Sequence, residues 1–467
     1  MAYVLNVAYL LAILVASPWL IWAAIRRHKY RAGFAAKLFG EVPRLENTKA
    51  PRLWLHAVSV GEVSLIGTLL REIEARHPDW ECVVSATTAT GYALAKKKYP
   101  HLTVFYAPLD CSWAVRRAMR RLSPTLLVLA ELELWPNLVR AAKEHGAKVA
   151  IVNGRLSARS FRGYRRILWL TKRVLRQVDL IAAQNDEYAE RFRALGAPPE
   201  AVYVTGSLKF DGAQTDRANE ATRRLRELAG FTADDVVLLV GSTQAPEELL
   251  ALKSFAALAE EYPRLKLVLV PRHPHRFEEV AALLDQSGLP WRRRSELGDS
   301  PKSQVPSPKS EDCATRPGTW DLGPGTSLPI PHSPFRILLV DTVGELAAWW
   351  GAAAIGFVGG SLGSRGGQNM IEPAAFGVAT CFGPNTRNFR DIVQMLLLRN
   401  AAVVVRDGGE LTAFVRQCLR QPSVALGLGQ RAQRLVREQH GATMATLELL
   451  RPLVAMGANC AGEREAA

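Results

Sequence analysis

The sequence predicts an α/β protein of two doubly wound domains facing one cleft, preceded by an N-terminal membrane anchor helix. Three observations carry that expectation. Short β-branched runs alternate with amphipathic stretches in two successive series, and strand–helix alternation implies a parallel sheet covered by helices on both faces. The chain has 467 residues, enough for two or three domains of about 150 residues each. One segment, Ala2 to Ile25, contains no charged residue.

That segment comes first. In a helix rising about 1.5 Å per residue it is long enough for about 30 Å of hydrocarbon. Arg26, Arg27, His28, Lys29 and Arg31 follow it directly. A cleaved signal peptide has its basic residues before the apolar run and a small-residue cleavage site after it, so this order implies an uncleaved anchor. The basic flank and the body are expected in the cytoplasm, with the amino terminus outside. Trp19 and Trp22 suit the interface, and Pro18 kinks the segment. A buried or monotopic helix packed on the body is the competing reading.

In the first series, Leu53–His56, Cys82–Ala86, Thr103–Ala107, Leu126–Ala130, Val149–Asn153 and Leu180–Ala183 read as strands. Glu62–Glu74, Trp113–Leu122, Trp135–His145 and Tyr164–Val178 have helical periodicity. The second series has strands at Val236–Val240, Leu265–Val270, Ile337–Val340, Ala354–Val358 and Ala402–Val405, with helices at Pro246–Glu261 and His275–Ser287. The polar stretch Asp211–Thr222 between the series reads as a linker. From about Ser295 to Ser333 Pro, Ser, Gly and Lys dominate, as in a mobile surface insertion. The expected division is therefore 1–31 (anchor and basic flank), 32–210, 211–452 and a frayed tail 453–467.

Composition narrows the function classes. With 48% hydrophobic and 22% charged residues, wholesale disorder is excluded, and the single long apolar run excludes a multi-pass membrane protein. The six cysteines form no CxxC pair, which argues against a disulfide scaffold or structural zinc and for a reducing compartment. A net charge of +15 favours a polyanionic partner. Interleaved aromatic and basic residues for single-strand binding are not evident, so nucleic acid is not expected.

Parallel sheets place ligands at the carboxyl ends of their strands. The first strand runs into HAVSVGE, where Glu62 begins a helix and serves either as a cap or as a general base. The fourth ends in AELELWPN; side-chain alternation lets only one of Glu131 and Glu133 face the cleft, and Glu131 is the better candidate. VTGSLKFD brings Lys209 to the end of the last strand of this half. In the second half, LVLVPRHP delivers Pro271 and Arg272, with His273 and Arg276 nearby; arginine can hold a phosphate through two parallel hydrogen bonds. VDTVGEL puts Gly344 and Glu345 at a helix start. FVGGSLGSRGGQNMIEPAAFG follows a strand, and its glycines let the backbone approach a phosphate, with Glu372 placed for ribose hydroxyls. There is no Walker A lysine motif, and no DxD or HExxH pair to hold a metal.

HAVSVGE, ELWPN, NGRLSARS, AAQN, TGSLKFD, VPRHP, TVGEL and FVGGS…GGQNMIEPAAFG occur in the order seen in the 3-deoxy-D-manno-octulosonic acid (Kdo) transferases, and the chain resembles that family from the anchor to about Arg399. The resemblance implies two Rossmann-like domains facing a cleft, the glycosyltransferase-B type. It implies anchoring in the inner membrane with the catalytic body on the cytoplasmic face, and transfer of Kdo from CMP-Kdo to lipid IVA in lipopolysaccharide core synthesis. It assigns Glu62 as catalytic base and Glu131 and Lys209 to transition-state stabilisation. CMP falls to Pro271, Arg272, Val343, Gly344, Glu345, Asn369, Met370, Ile371 and Glu372. Inversion at the anomeric carbon, no metal, no cofactor beyond the donor substrate, and contact with anionic inner-membrane lipids are the accompanying expectations. Gln368 stands where the family pattern has His. The alternative is another sugar-nucleotide-dependent lipid glycosyltransferase, or an epimerase, on the same fold.

Overall fold

The computed structural model describes residues 33–298 apart from 47 and 49, residues 335–465, and positions 6, 7, 9–11, 14, 15, 17, 18, 22 and 26. The first sheet contains Arg52–His56 (β1), Glu81–Ala86 (β2), Thr103–Tyr106 (β3), Leu126–Ala130 (β4), Lys148–Gly154 (β5), Leu180–Ala183 (β6) and Val202–Val204 (β7). All pairings are parallel, in the order β3-β2-β1-β4-β5-β6-β7. β1 and β4 are buried along their whole length, as central strands covered on both faces must be. The helix Val60–Arg76 covers one face with Val63, Ile66, Leu69, Leu70 and Ile73, spaced three and four apart, packed with Leu53, Leu55 and Val84. Ser112–Leu122 and Pro136–Glu144 cover the other, where Val115, Met119, Leu138 and Val139 meet Trp54 and Leu127.

The second sheet is Val236–Thr243 (β8), Leu265–Pro271 (β9), Trp291–Arg293 (β10), Ile337–Leu339 (β11), Ile355–Val358 (β12), Ala379–Phe382 (β13) and Val403–Val404 (β14). It is also parallel, in the order β10-β11-β9-β8-β12-β13-β14. Strand order reverses between β1 and β4 in one sheet and between β8 and β12 in the other. Those reversals open a crevice at the carboxyl ends, the place where such sheets bind ligands. The α/β class with two parallel sheets is thus as expected.

The chain divides into two compact units, 1–212 with 439–467, and 213–438. The expected second domain, 211–452, is therefore too long at its carboxyl end, and the tail is not frayed. The last helix, Ala442–Glu465, continues through Pro452 and belongs to the first unit. Its Leu447, Leu450 and Val454 join the cluster that contains Leu53 and Leu126, and that packing holds the helix despite the proline. Asp211 fixes its start, accepting from the main-chain N–H groups of Gly441 and Thr443. The single helix expected over Tyr164–Val178 is instead two, Ala158–Arg165 and Leu168–Leu175.

Two other expectations fall on the margins of what is described. The Pro/Ser insertion at about 295–333 lies outside the described residues beyond Gly298. Most of the anchor, 1–31, lies outside them too; its described positions are helical. Among the described residues no helix is long and apolar enough to cross a membrane.

Candidate active site

In the first unit the crevice at the strand reversal is lined by carboxylates. β1 and β4 run in register, Leu53 against Leu126 and His56 against Leu129, so the loops that leave them emerge side by side. Glu62 sits in the first turn of the helix that follows β1. Its Oε2 accepts from the Val58 N–H at 2.6 Å and its Oε1 from the Ser59 hydroxyl at 3.0 Å. These contacts are the capping role, and they orient the carboxylate without neutralising it. Burial pushes its pKa up, the two hydrogen bonds pull it down, and the charge of Glu131 pushes it up again.

Glu131 follows β4 with a φ of 57°, the left-handed region that a side chain enters only under constraint. Its N–H still bonds Val152 O at 2.9 Å, so the sheet holds the turn. This kink cancels strand alternation. Glu131 and Glu133 are therefore not on opposite sides, and the expectation that only one serves the crevice is corrected. Glu133 lies within electrostatic reach of both Glu62 and Glu131, and burial followed by the charge of Glu62 raises its pKa to about 7, with the charge of Glu131 adding to the rise. The Trp135 Nε1–H donates to it at 2.7 Å. Glu133 is thus a member of the cluster that sequence reasoning had set aside.

Lys209 stands in a one-turn helix, Leu208–Asp211, five residues past the end of β7 rather than at the strand end. Its Nζ meets Glu131 Oε1 at 3.0 Å. Asn153, buried and also left-handed at φ 55°, places that helix by accepting from Leu208 N at 3.0 Å. The structure therefore brings together Glu62, Glu131, Glu133 and one cation. His56 is excluded as an acid or base near neutrality: its ring is buried, bonds Ser85 Oγ at 2.9 Å, and its pKa falls to about 4 through desolvation.

In the second unit the charges are arranged the other way. Pro271 ends β9, and exposed Arg272 follows it, its N–H bonded to Thr243 O. The pKa of His273 is lowered by desolvation and then by the positive charges of His275, Arg272, Arg365 and Arg276. Arg276 itself is neutralised by Glu248 and Glu279. Arg272 and Arg365 have no ion pair among the described residues, so they supply the net positive charge. Arg365, in the glycine-rich loop, was not singled out from the sequence.

Glu345 caps the helix Leu346–Ala352, and its carboxylate is gripped by Arg294 Nε at 3.0 Å and Nη2 at 2.9 Å, with the Thr342 hydroxyl at 2.8 Å. Any contact from this turn to a ligand is left to the main chain of Val343 and Gly344. Val343 is exposed, and Gly344, at φ 101°, faces open space. Glu372 accepts from Asn369 Nδ2 at 3.0 Å, while Asn369 Oδ1 accepts the Ile371 N–H at 3.0 Å. Burial raises the Glu372 pKa, and nearby Arg272 opposes the rise. Met370 is fully buried and supports this turn from beneath.

The glycine-rich loop differs from its expected role. The N–H groups of Gly360, Ser361 and Leu362 all point at Glu247, at 2.7, 3.0 and 3.0 Å, and Gln244 N–H adds a fourth bond at 2.9 Å. Glu247 is 2% exposed. The start of the loop is thus an anion nest filled by the protein's own carboxylate, with no room for phosphate. A Cβ on Gly359 would lie 2.7 Å from Ser242 O and 2.8 Å from Glu247 Oε2, which explains glycine there. Among the described residues no group of three or more His, Cys, Asp or Glu is arranged to hold a metal ion.

The chain is similar to known proteins over most of its length. A family model described as 3-Deoxy-D-manno-octulosonic-acid transferase (kdotransferase) matches residues 26–212. A 3-deoxy-D-manno-octulosonic acid transferase of Bordetella pertussis is 33% identical over 458 residues, covering 95% of this chain and 98% of that protein. The enzyme of the same name from Haemophilus influenzae is 32% identical over 402 residues, 86% of each chain. Among solved structures, a putative UDP-N-acetylglucosamine 2-epimerase from Listeria monocytogenes aligns with a TM-score of 0.52 at 12% identity, covering 85% of this chain and 94% of that one. At that identity it speaks for the fold alone.

Proposed function

Given that the chain belongs to the 3-deoxy-D-manno-octulosonic acid transferase family, we propose that it moves Kdo from CMP-Kdo to lipid IVA with inversion, Glu62 acting as general base and no metal taking part. The observation that carries the proposal is the first-unit crevice. A helix-start carboxylate is oriented by two short hydrogen bonds there, and burial raises its pKa, with the hydrogen bonds opposing and Glu131 adding to the rise. A raised pKa makes a carboxylate a stronger base toward a hydroxyl proton.

In this reading an acceptor hydroxyl oxygen attacks the anomeric carbon of Kdo as its proton passes to a Glu62 oxygen. The bond from that carbon to the CMP phosphate breaks, and the electron pair leaves with the phosphate. On the second unit, Arg272 and Arg365 are the groups suited to a phosphate charge, and the open main chain at Val343 and Gly344 and the Asn369–Glu372 turn are those suited to a nucleoside. Lys209 pairs with the Glu131 carboxylate and holds it in place beside the reacting centre, where a cationic transition state gains from a carboxylate. The anionic acceptor suits a chain of net charge +15 working at the inner membrane.

The test is mass spectrometry of lipid IVA incubated with CMP-Kdo. A gain of Kdo mass with wild type, and not with folded, CMP-binding Glu62→Gln, is expected. No gain with wild type that binds CMP would reject this donor–acceptor pair.

A further inference from the structure

Asn6 and Tyr9 stand in a largely apolar run, and both are bonded to the body of the first unit. Asn6 is 7% exposed. Its Nδ2 donates to Ser112 Oγ at 2.7 Å, and its Oδ1 accepts from the Ser112 N–H at 3.0 Å and from Asn137 Nδ2 at 3.4 Å. The Tyr9 hydroxyl donates to Asp110 Oδ2 at 3.0 Å. Asp110 is 3% exposed and also accepts the N–H groups of Asn137 and Leu138, at 3.1 and 2.8 Å. The amino end of the run is therefore tied to the starts of Ser112–Leu122 and Pro136–Glu144.

The described apolar side chains of the run face away from these contacts. Val7, Leu10, Leu11, Leu14 and Val15 are 56%, 49%, 56%, 68% and 82% exposed, and their spacing of i, i+3, i+4, i+7 and i+8 is one stripe of a helix. Exposed Trp113 sits next to Ser112, the residue Asn6 binds, and its Nε1–H reaches Leu38 O at 2.8 Å. Phe34 and Phe39, with ring centroids 6.3 Å apart, are exposed on the helix that includes Leu38. Indole and phenyl groups beside an aliphatic stripe suit the boundary between headgroups and acyl chains.

A helix that crossed the bilayer with its amino terminus outside would separate Asn6 from the cytoplasmic body by about 30 Å of hydrocarbon. Hydrogen bonds of 2.7 and 3.0 Å forbid that separation. We propose that the amino-terminal helix is monotopic: its apolar stripe lies in the plane of an anionic lipid surface, and the amino terminus stays on the same side of the membrane as the body. Charge favours an anionic surface as the occupant, because Arg26, Arg27, His28, Lys29 and Arg31 follow the stripe and the whole chain is at +15. The inference rests on these contacts and not on the donor and acceptor proposed above.

Two measurements test it on the full chain. In the first, Ala2→Cys is labelled with a membrane-impermeant maleimide in spheroplasts, alongside Arg173→Cys as a body control. Ala2→Cys should label only after lysis, as the control does. Labelling before lysis, with the control protected, overturns the proposal in favour of a spanning anchor, and neither result depends on turnover. In the second, Leu14→Asp with Val15→Asp should reduce flotation with phosphatidylglycerol-containing vesicles several-fold and leave the thermal transition in place. Unchanged flotation would show that the stripe is not the lipid contact. Equal flotation of wild type with neutral vesicles would reject the anionic surface.

Discussion

Glu62 and Glu247 occupy matching places in the two units: each starts the helix after the strand at which its sheet reverses order, β1 in one and β8 in the other. They are used in opposite ways. Glu247 is sealed, with four main-chain N–H groups around a carboxylate that is 2% exposed. Glu62 is half-buried, has one main-chain and one hydroxyl donor, and faces two further carboxylates. The same topological position thus yields a strut when the next loop wraps it and a base when the loop leaves it open. What decides is the neighbour: the GGSL turn after β12 in one case and the strained Glu131 turn after β4 in the other.

The comparison is sharpest in the variants that keep shape and remove charge. Glu62→Gln should lower kcat by about 100- to 10,000-fold, the range of a lost general base. Its stability in urea should be unchanged or slightly raised, because one member of a repelling carboxylate cluster has gone. Glu247→Ala should do the reverse. Four main-chain donors, two of them in buried residues, lose their acceptor at about 1–3 kcal/mol for each group left buried and unsatisfied, so a loss of about 3 kcal/mol is expected in urea unfolding. The surviving folded fraction should bind CMP more weakly while keeping its kcat. A Glu247→Ala protein of wild-type stability would end the distinction drawn here.

Much of this contrast was legible in the sequence, and the rest was not for identifiable reasons. Strand-and-helix alternation marked eleven of the strands, because buried parallel strands are short continuous apolar runs. β7, β10 and β13 received no range: Val202–Val204 and Trp291–Arg293 are three residues each, and Ala379–Phe382 is a four-residue run too brief to separate from a loop. Glu62 was visible as a carboxylate at a helix start. The role of Glu133 was not, since it depends on a positive φ at Glu131 that no periodicity reports. Glu247 was hidden for another reason: its partners lie more than 110 residues further on, in a loop whose glycines look the same whether they bind phosphate or a buried carboxylate.

Arg272 tests the other side of the comparison, the cationic face that the second unit keeps by neutralising its acids. Glu248 is spent on Arg276 and Glu345 on Arg294, so Arg272 stays available for an anion. Arg272→Ala should weaken CMP binding by about 10- to 100-fold in calorimetry, the value of one or two charge-assisted hydrogen bonds. Arg365→Ala should cost less, and the double variant more than either. Unchanged affinity in Arg272→Ala would move the phosphate elsewhere on this unit.

The smallest effect expected is also the most specific to the carboxylate cluster. With a folded pKa of about 7 against an ordinary value of 4.5, Glu133 binds its proton more tightly in the folded chain than in the unfolded one. Between those two pH values the folded state carries the extra proton, so the stabilisation is full below about 4.5 and is lost as pH rises to about 7. Asp110, raised to about 6 by burial, acts in the same direction over a lower window. Wild type should therefore lose stability between pH 5 and pH 8, and Glu133→Gln should lose less, by on the order of 1 kcal/mol in urea midpoints taken at the two pH values. Equal pH slopes for the two proteins would mean that Glu133 is ionised throughout and takes up no proton on folding.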